Sequence, residues 1–287
     1  MDRDRPTAAL LMILRGVLLY LVLTLTGGTL ASGDPQAPAA PPSATVAEAK
    51  IAPRVSAQPD DPAWSCPATM QLDQASIGTP ISLLAHRPPP TEVRMLWDPK
   101  WLYCRFTCED DTPPYLPPGD GLNTRVYQGD AVEVFLDPVG DSRQWFEFQF
   151  NARNDRFGQV TVCSAKPEWD ANLRLKSDFI ARNVWTFPLK ELDQVRSAAR
   201  WAPSAGKWIV DVAIPAALML KRTGGKNFTP MQLRGNFLRY KWVETSSAAK
   251  RQLLSLNWSP IPLYIPHRCP AAFGFITLAG ETPSSVP

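Results

Sequence analysis

The stretch that most constrains this chain is 127–151, YQGDAVEVFLDPVGDSRQWFEFQFN. Val132, Val134 and Leu136 alternate with Ala131, Glu133 and Phe135. After a turn containing Pro, Gly and Asp, Phe146, Phe148 and Phe150 alternate with Trp145, Glu147, Gln149 and Asn151. Strict period-2 patterning on both sides of a short turn predicts an antiparallel hairpin. Both apolar rows carry even numbers, so only registers whose paired numbers sum to an even value keep those rows on one face. The odd rows then share the other face, with Glu133 opposite Trp145, Glu147 or Gln149. That face is expected to display carboxylates, an amide and an aromatic ring, and no Lys or Arg stands in its rows. A ligand-binding face and an ordinary solvated face both fit this pattern.

Further strand-like runs are read at 92–97, 102–109, 159–163, 208–214, 232–242, 253–258 and 273–278, beside the hairpin strands 130–136 and 145–151. Short helical turns are expected near 189–200 and 216–222. Proline, 30 of 287 residues, falls between the runs, as at 88–90, 113–114 and 117–118. Many short strands separated by long Pro-rich loops predict an all-β fold: one antiparallel β-sandwich over 61–279, followed by a disordered tail at 280–287.

Residues 1–33 read as a signal peptide, with Arg3, Arg5 and Arg15 around an apolar run whose unbroken part is 16–26. Met12 would serve as an alternative start, and an uncleaved N-terminal anchor is the other reading. Small residues at 29–33 suit cleavage, and no cysteine follows them to receive a lipid. Residues 34–60, rich in Pro and Ala, are expected to form a disordered linker. Export to a periplasm or the outside follows, with membrane attachment only if the leader stays on.

The formal net charge of +3 comes without a basic run, so nucleic acid is not an expected partner. There is no metal-ligand spacing, no phosphate loop and no GxSxG, and the two histidines, His86 and His267, lie in no catalytic signature. Glu133 and Glu147 are a conceivable carboxylate pair of the glycosidase kind. Cofactors are not expected, and the chain is read as a monomer. Of five cysteines at least one stays unpaired within the chain. Cys104 and Cys108, about 13 Å apart along one strand, cannot bond each other. Cys66 near the start of the domain and Cys269 near its end could join the terminal strands, one pairing among those the sequence allows.

Taken together, VRMLWDPKWLYCRFTCEDD (93–111), YQGDAVEVFLDP (127–138), FEFQFNARNDRFG (146–158), GKWIVDVAIP (206–215), RGNFLRYKW (234–242) and the 254–278 block resemble the carbohydrate-binding module family 9-like domains in order and spacing. The resemblance implies a β-sandwich that holds the end of a sugar chain between two aromatic side chains, with charged and amide groups on the hydroxyls. On it, Tyr127 stands at the first aromatic position, six before Glu133, and His267 at the second. Gln149 replaces an arginine, Asn151 matches an asparagine, and Arg239 lies on a strand that contributes a polar side chain. The implied function is an exported, non-catalytic carbohydrate-binding protein. Its alternatives are a structural or protein-interaction sandwich without a sugar ligand, a glycoside-active enzyme, and a haem-binding sandwich.

Overall fold

In the computed structural model the described residues are 40–65, 69–75, 89–119, 121–171, 173–244, 251–261 and 268–280. The chain divides into two units, Met1–Ala37 and Pro38–Pro287. The first lies outside the described residues, and the expected leader with it. Among the described residues no helix is long and apolar enough to cross a membrane.

The strands are β1 (Ser43–Ala47), β2 (Thr69–Gln71), β3 (Gln74–Ala75), β4 (Thr91–Trp97), β5 (Trp101–Glu109), β6 (Ala131–Asp137), β7 (Gln144–Phe150), β8 (Arg156–Cys163), β9 (Val184–Pro188), β10 (Arg196–Ala202), β11 (Lys207–Pro215), β12 (Met231–Glu244), β13 (Arg251–Asn257) and β14 (Gly274–Ala279). Two short helices, α1 (Ser177–Asn183) and α2 (Ala216–Met219), accompany them. One sheet of nine strands runs β1-β14-β12-β6-β7-β8-β9, with β13 paired to both β12 and β3; the other, of five, runs β10-β11-β5-β4-β2. All pairings are antiparallel except β1 with β14.

The fold is thus the expected β-sandwich. The even-numbered row of the hairpin, Val132, Val134, Leu136, Phe146, Phe148 and Phe150, faces Phe106, Trp208, Val210 and Val212 in the core between the sheets. Aromatic contacts tie the core together, among them Phe106 with Phe237 at 6.1 Å between ring centroids and Phe237 with Trp258 at 5.9 Å. The hairpin turn is closed by its own first carboxylate. Asp137 accepts the amides of Val139, Gly140 and Ser142 at 3.2, 2.8 and 2.7 Å, and Gly140 takes the left-handed φ of +74° that this turn requires.

Three expectations are corrected. The linker is not disordered over 43–61. β1 adds to the sheet beside β14, Val46 is buried, and Asp211 Oδ2 accepts the Ser56 and Ala57 amides at 3.2 and 2.7 Å while Arg105 binds the same carboxylate. Few large side chains are needed for this, because the backbone ladder and one buried carboxylate hold the segment. The segment 196–202 is an edge strand against β11 rather than helix, pairing overriding the helical preference of its Ala and Arg residues. Cys269 is a free thiol and so is not bridged to Cys66, which lies outside the described residues. Cys269 packs with Phe135 and Phe273 on the outer face of the large sheet.

Candidate functional site

The register of β6 and β7 places Glu133 directly opposite Gln149, with Val134 opposite Phe148 and Phe135 opposite Glu147. The paired numbers sum to an even value, as the core rows demand. On the far side of β7, β8 sets Phe157 opposite Gln149 and Gln159 opposite Glu147. β12 sets Leu238 opposite Glu133 and Tyr240 opposite Ala131. The outer face of the nine-stranded sheet therefore gathers Glu133, Glu147, Gln149, Gln159 and Tyr240 into one polar cluster, rimmed by Phe157. The exposed Tyr127 ring packs edge-on against Phe157 at 6.1 Å between centroids.

The cluster is buried, not a solvated face. Glu133, Glu147 and Gln149 expose 1%, 5% and 2% of their surface. The rest of the same face is covered by an apolar cluster in which Phe135, Trp145 and Leu238 pack under Phe179, Cys269 and Phe273. Glu147 is well satisfied: Oε1 accepts Gln149 Nε2 and Oε2 accepts Gln159 Nε2, each at 2.6 Å. Glu133 is not, for neither of its oxygens has a hydrogen-bond partner, and Gln149 Oε1 is also unpartnered. The Tyr240 hydroxyl is near Glu133 and favours its charged form, although without the geometry of a formed hydrogen bond.

Burial pushes the Glu133 carboxyl well above the usual carboxylate range, and the neighbouring Glu147 charge adds to it. Burial also pushes Glu147 up to about 7, against the pull of the two glutamine amides. The Tyr240 phenol is raised by burial and by both carboxylates. A buried carboxylate with two free oxygens is costly in an empty protein. Its acceptors, sealed from solvent, are complementary to hydroxyl or amine donors.

The family description "Carbohydrate family 9 binding domain-like" matches residues 57–229. The chain belongs to this family. A Bacteroides uniformis protein provisionally named carbohydrate-binding matches at 18% identity over 84% of this chain and 100% of its own, with a TM-score of 0.59. A carbohydrate binding module family 9 from Caldicellulosiruptor kristjanssonii, solved with cellotriose, matches at 17% identity over 85% of this chain and 97% of its own, TM-score 0.51. An "Extracellular protein" of Arthroderma benhamiae is 24% identical over 131 residues, 45% of this chain and 55% of that one. This chain therefore spans about half the length of that curated relative.

Within this family 9-like domain, the residues expected to form a site separate into three groups. Glu133, Glu147, Gln149 and the Tyr127 rim come together. Trp145, Asn151 and Arg239 do not belong with them. Trp145 is 1% exposed inside the apolar cluster, so it offers no free ring face. Asn151 closes the β7–β8 turn: its Oδ1 accepts the amides of Arg153 and Asp155, each at 3.0 Å, and its Nδ2 donates to Asp155 Oδ2 at 2.9 Å. Arg239 has an odd number on β12, a strand whose even residues face outward, and so it points between the sheets. There it donates to Asp110 Oδ2 and Glu109 O at 2.8 Å and to Thr91 Oγ1 at 2.9 Å. His267, the expected second aromatic platform, lies outside the described residues, as does His86. Sequence reasoning missed Gln159, Tyr240 and Phe157, although extending the hairpin's phase across β8 and β12 identifies all three. Among the described residues no group of His, Cys, Asp and Glu is arranged to hold a metal.

Proposed function

We propose that this protein is an exported, non-catalytic carbohydrate-binding protein that takes a saccharide on the outer face of its large sheet. Tyr127 supplies a stacking surface, Glu133 and Gln149 accept from hydroxyls, and Glu147 and Gln159 hold that row in place. The observation that carries the reading is Glu133: buried, without a formed hydrogen bond, and in register with Gln149 and then Phe157, on which the exposed Tyr127 ring packs, in a chain of this family. A sugar presents both an apolar face for the ring and donors for the carboxylate. The solved relative's complex with cellotriose supports the same ligand class. Binding rather than hydrolysis is favoured because both Glu147 oxygens are engaged by glutamine amides, leaving one free carboxylate where glycoside cleavage uses two.

Export rests on the leader-like 1–33 and fits the extracellular name of the fungal relative. A glycan array probed with the purified protein tests the binding reading. Retention of some saccharide, lost in Tyr127→Ala, is expected; an array blank across all classes would overturn it. Mass spectrometry of the mature protein is expected to find an N-terminus near Ser32–Asp34, and an intact Met1 or Met12 in the membrane fraction would favour the anchored form.

A further inference from the structure

The polar cluster is rich in acceptors and poor in donors. Three acceptor atoms in it, Glu133 Oε1, Glu133 Oε2 and Gln149 Oε1, make no formed hydrogen bond; the Tyr240 hydroxyl is the one donor near Glu133, and the Gln149 and Gln159 amides already donate to Glu147. Two carboxylates share this buried space, and no lysine or arginine of the described residues pairs with either. The basic side chains on the same strands are committed elsewhere. Arg156 on β8 donates to Val195 O, Arg234 on β12 donates to Phe273 O and Ala271 O, and Arg239 and Lys241 pair with Asp110 on the inner side of the sheet, while Arg153 in the β7–β8 turn binds Asp155.

A hydroxyl donates one hydrogen and accepts others, so a neutral sugar fills such a set only in part. A protonated amine donates three and accepts none, and it brings the positive charge that the carboxylates lack. We infer that the saccharide taken by this site carries a free amine, whose ammonium group sits against Glu133 and Gln149 with Glu147 behind. The inference rests on the saccharide reading above and narrows it to amino sugars.

Isothermal titration calorimetry of the full chain at neutral pH tests it with glucosamine, N-acetylglucosamine, glucose and methylammonium. Glucosamine is expected to bind about tenfold or more tighter than glucose or N-acetylglucosamine, since charge-assisted hydrogen bonds are about twice as strong as neutral ones. Glu133→Gln should erase that advantage while leaving the circular dichroism spectrum unchanged, because Glu133 makes no ion pair and no formed hydrogen bond within the protein, and a glutamine keeps an acceptor facing the Tyr240 hydroxyl. Glucose or N-acetylglucosamine binding as tightly as glucosamine would overturn the amine inference and leave the saccharide reading standing. Methylammonium binding as tightly as glucosamine would overturn the sugar component. Failure of all three sugars to bind would overturn both.

Discussion

Raising the pH from about 5 to about 8 should destabilise this domain, in contrast to proteins whose carboxylates are held low by ion pairs. Glu147 sits at about 7 in the folded protein against an ordinary 4.5, because its carboxyl is buried. The folded state thus keeps a proton that the unfolded chain has released. The resulting stability is fully present below about pH 4.5 and is lost as the pH rises through about 7. The difference between about 7 and 4.5, at about 1.4 kcal/mol per pH unit, is on the order of 3 kcal/mol. Glu133 is raised as well and acts in the same direction. Asp155 and Glu191, which are held low, act in the opposite direction but below this window. Urea unfolding followed by tryptophan fluorescence at several pH values in constant salt would measure the effect. The midpoint should fall from about pH 5 to 8, and Glu133→Gln should flatten the slope by raising stability at the alkaline end. A flat or rising profile would refute the reasoning, since it would mean that these carboxylates ionise as freely in the folded protein as in the unfolded chain.

Phe148→Ala, at a fully buried position between the sheets, should cost about 3–5 kcal/mol in chemical denaturation. Arg239→Met should cost about 3 kcal/mol, softened because Lys241 still pairs with Asp110, and should leave saccharide affinity of the folded protein unchanged. Loss of affinity in that variant would return Arg239 to the site. Removing everything before residue 61 should lower the calorimetric Tm by about 5–10 °C, because it strips β1 from β14 and two amide donors from Asp211; an unchanged Tm would restore the linker reading.

Much of the fold was legible because both sheets obey period 2. All nine expected strands are present, from Thr91–Trp97 through Gly274–Ala279. The five strands that were missed lack that signal: β2, β3 and β9 are only two to five residues long, and β1 (SATVA) and β10 (RSAARWA) have small or charged residues and are held by edge pairing instead. The site was legible in part for the same reason. The phase argument brings Glu133, Glu147 and Gln149 to one face, but phase alone says nothing of what covers that face. Trp145 and Glu147 are two residues apart on one row, yet one lies under Phe179 and the other beside glutamine amides. Arg239 was misplaced because the resemblance assigned its strand and not its parity, and a one-residue difference in a strand moves a side chain to the opposite face.

The most direct test of the account is the effect of Glu133→Gln on saccharide affinity, measured by calorimetry beside the unfolding curve of the same protein. If Glu133 is a ligand acceptor, affinity should fall by about ten- to a hundredfold, corresponding to about 1.5–3 kcal/mol for a hydrogen bond to a charged group. Stability should not fall, because Glu133 makes no ion pair or formed hydrogen bond in the folded protein. The contradicting result is a variant that unfolds while its remaining folded fraction binds sugar as before. Glu133 would then be a structural group, and the site would lie elsewhere.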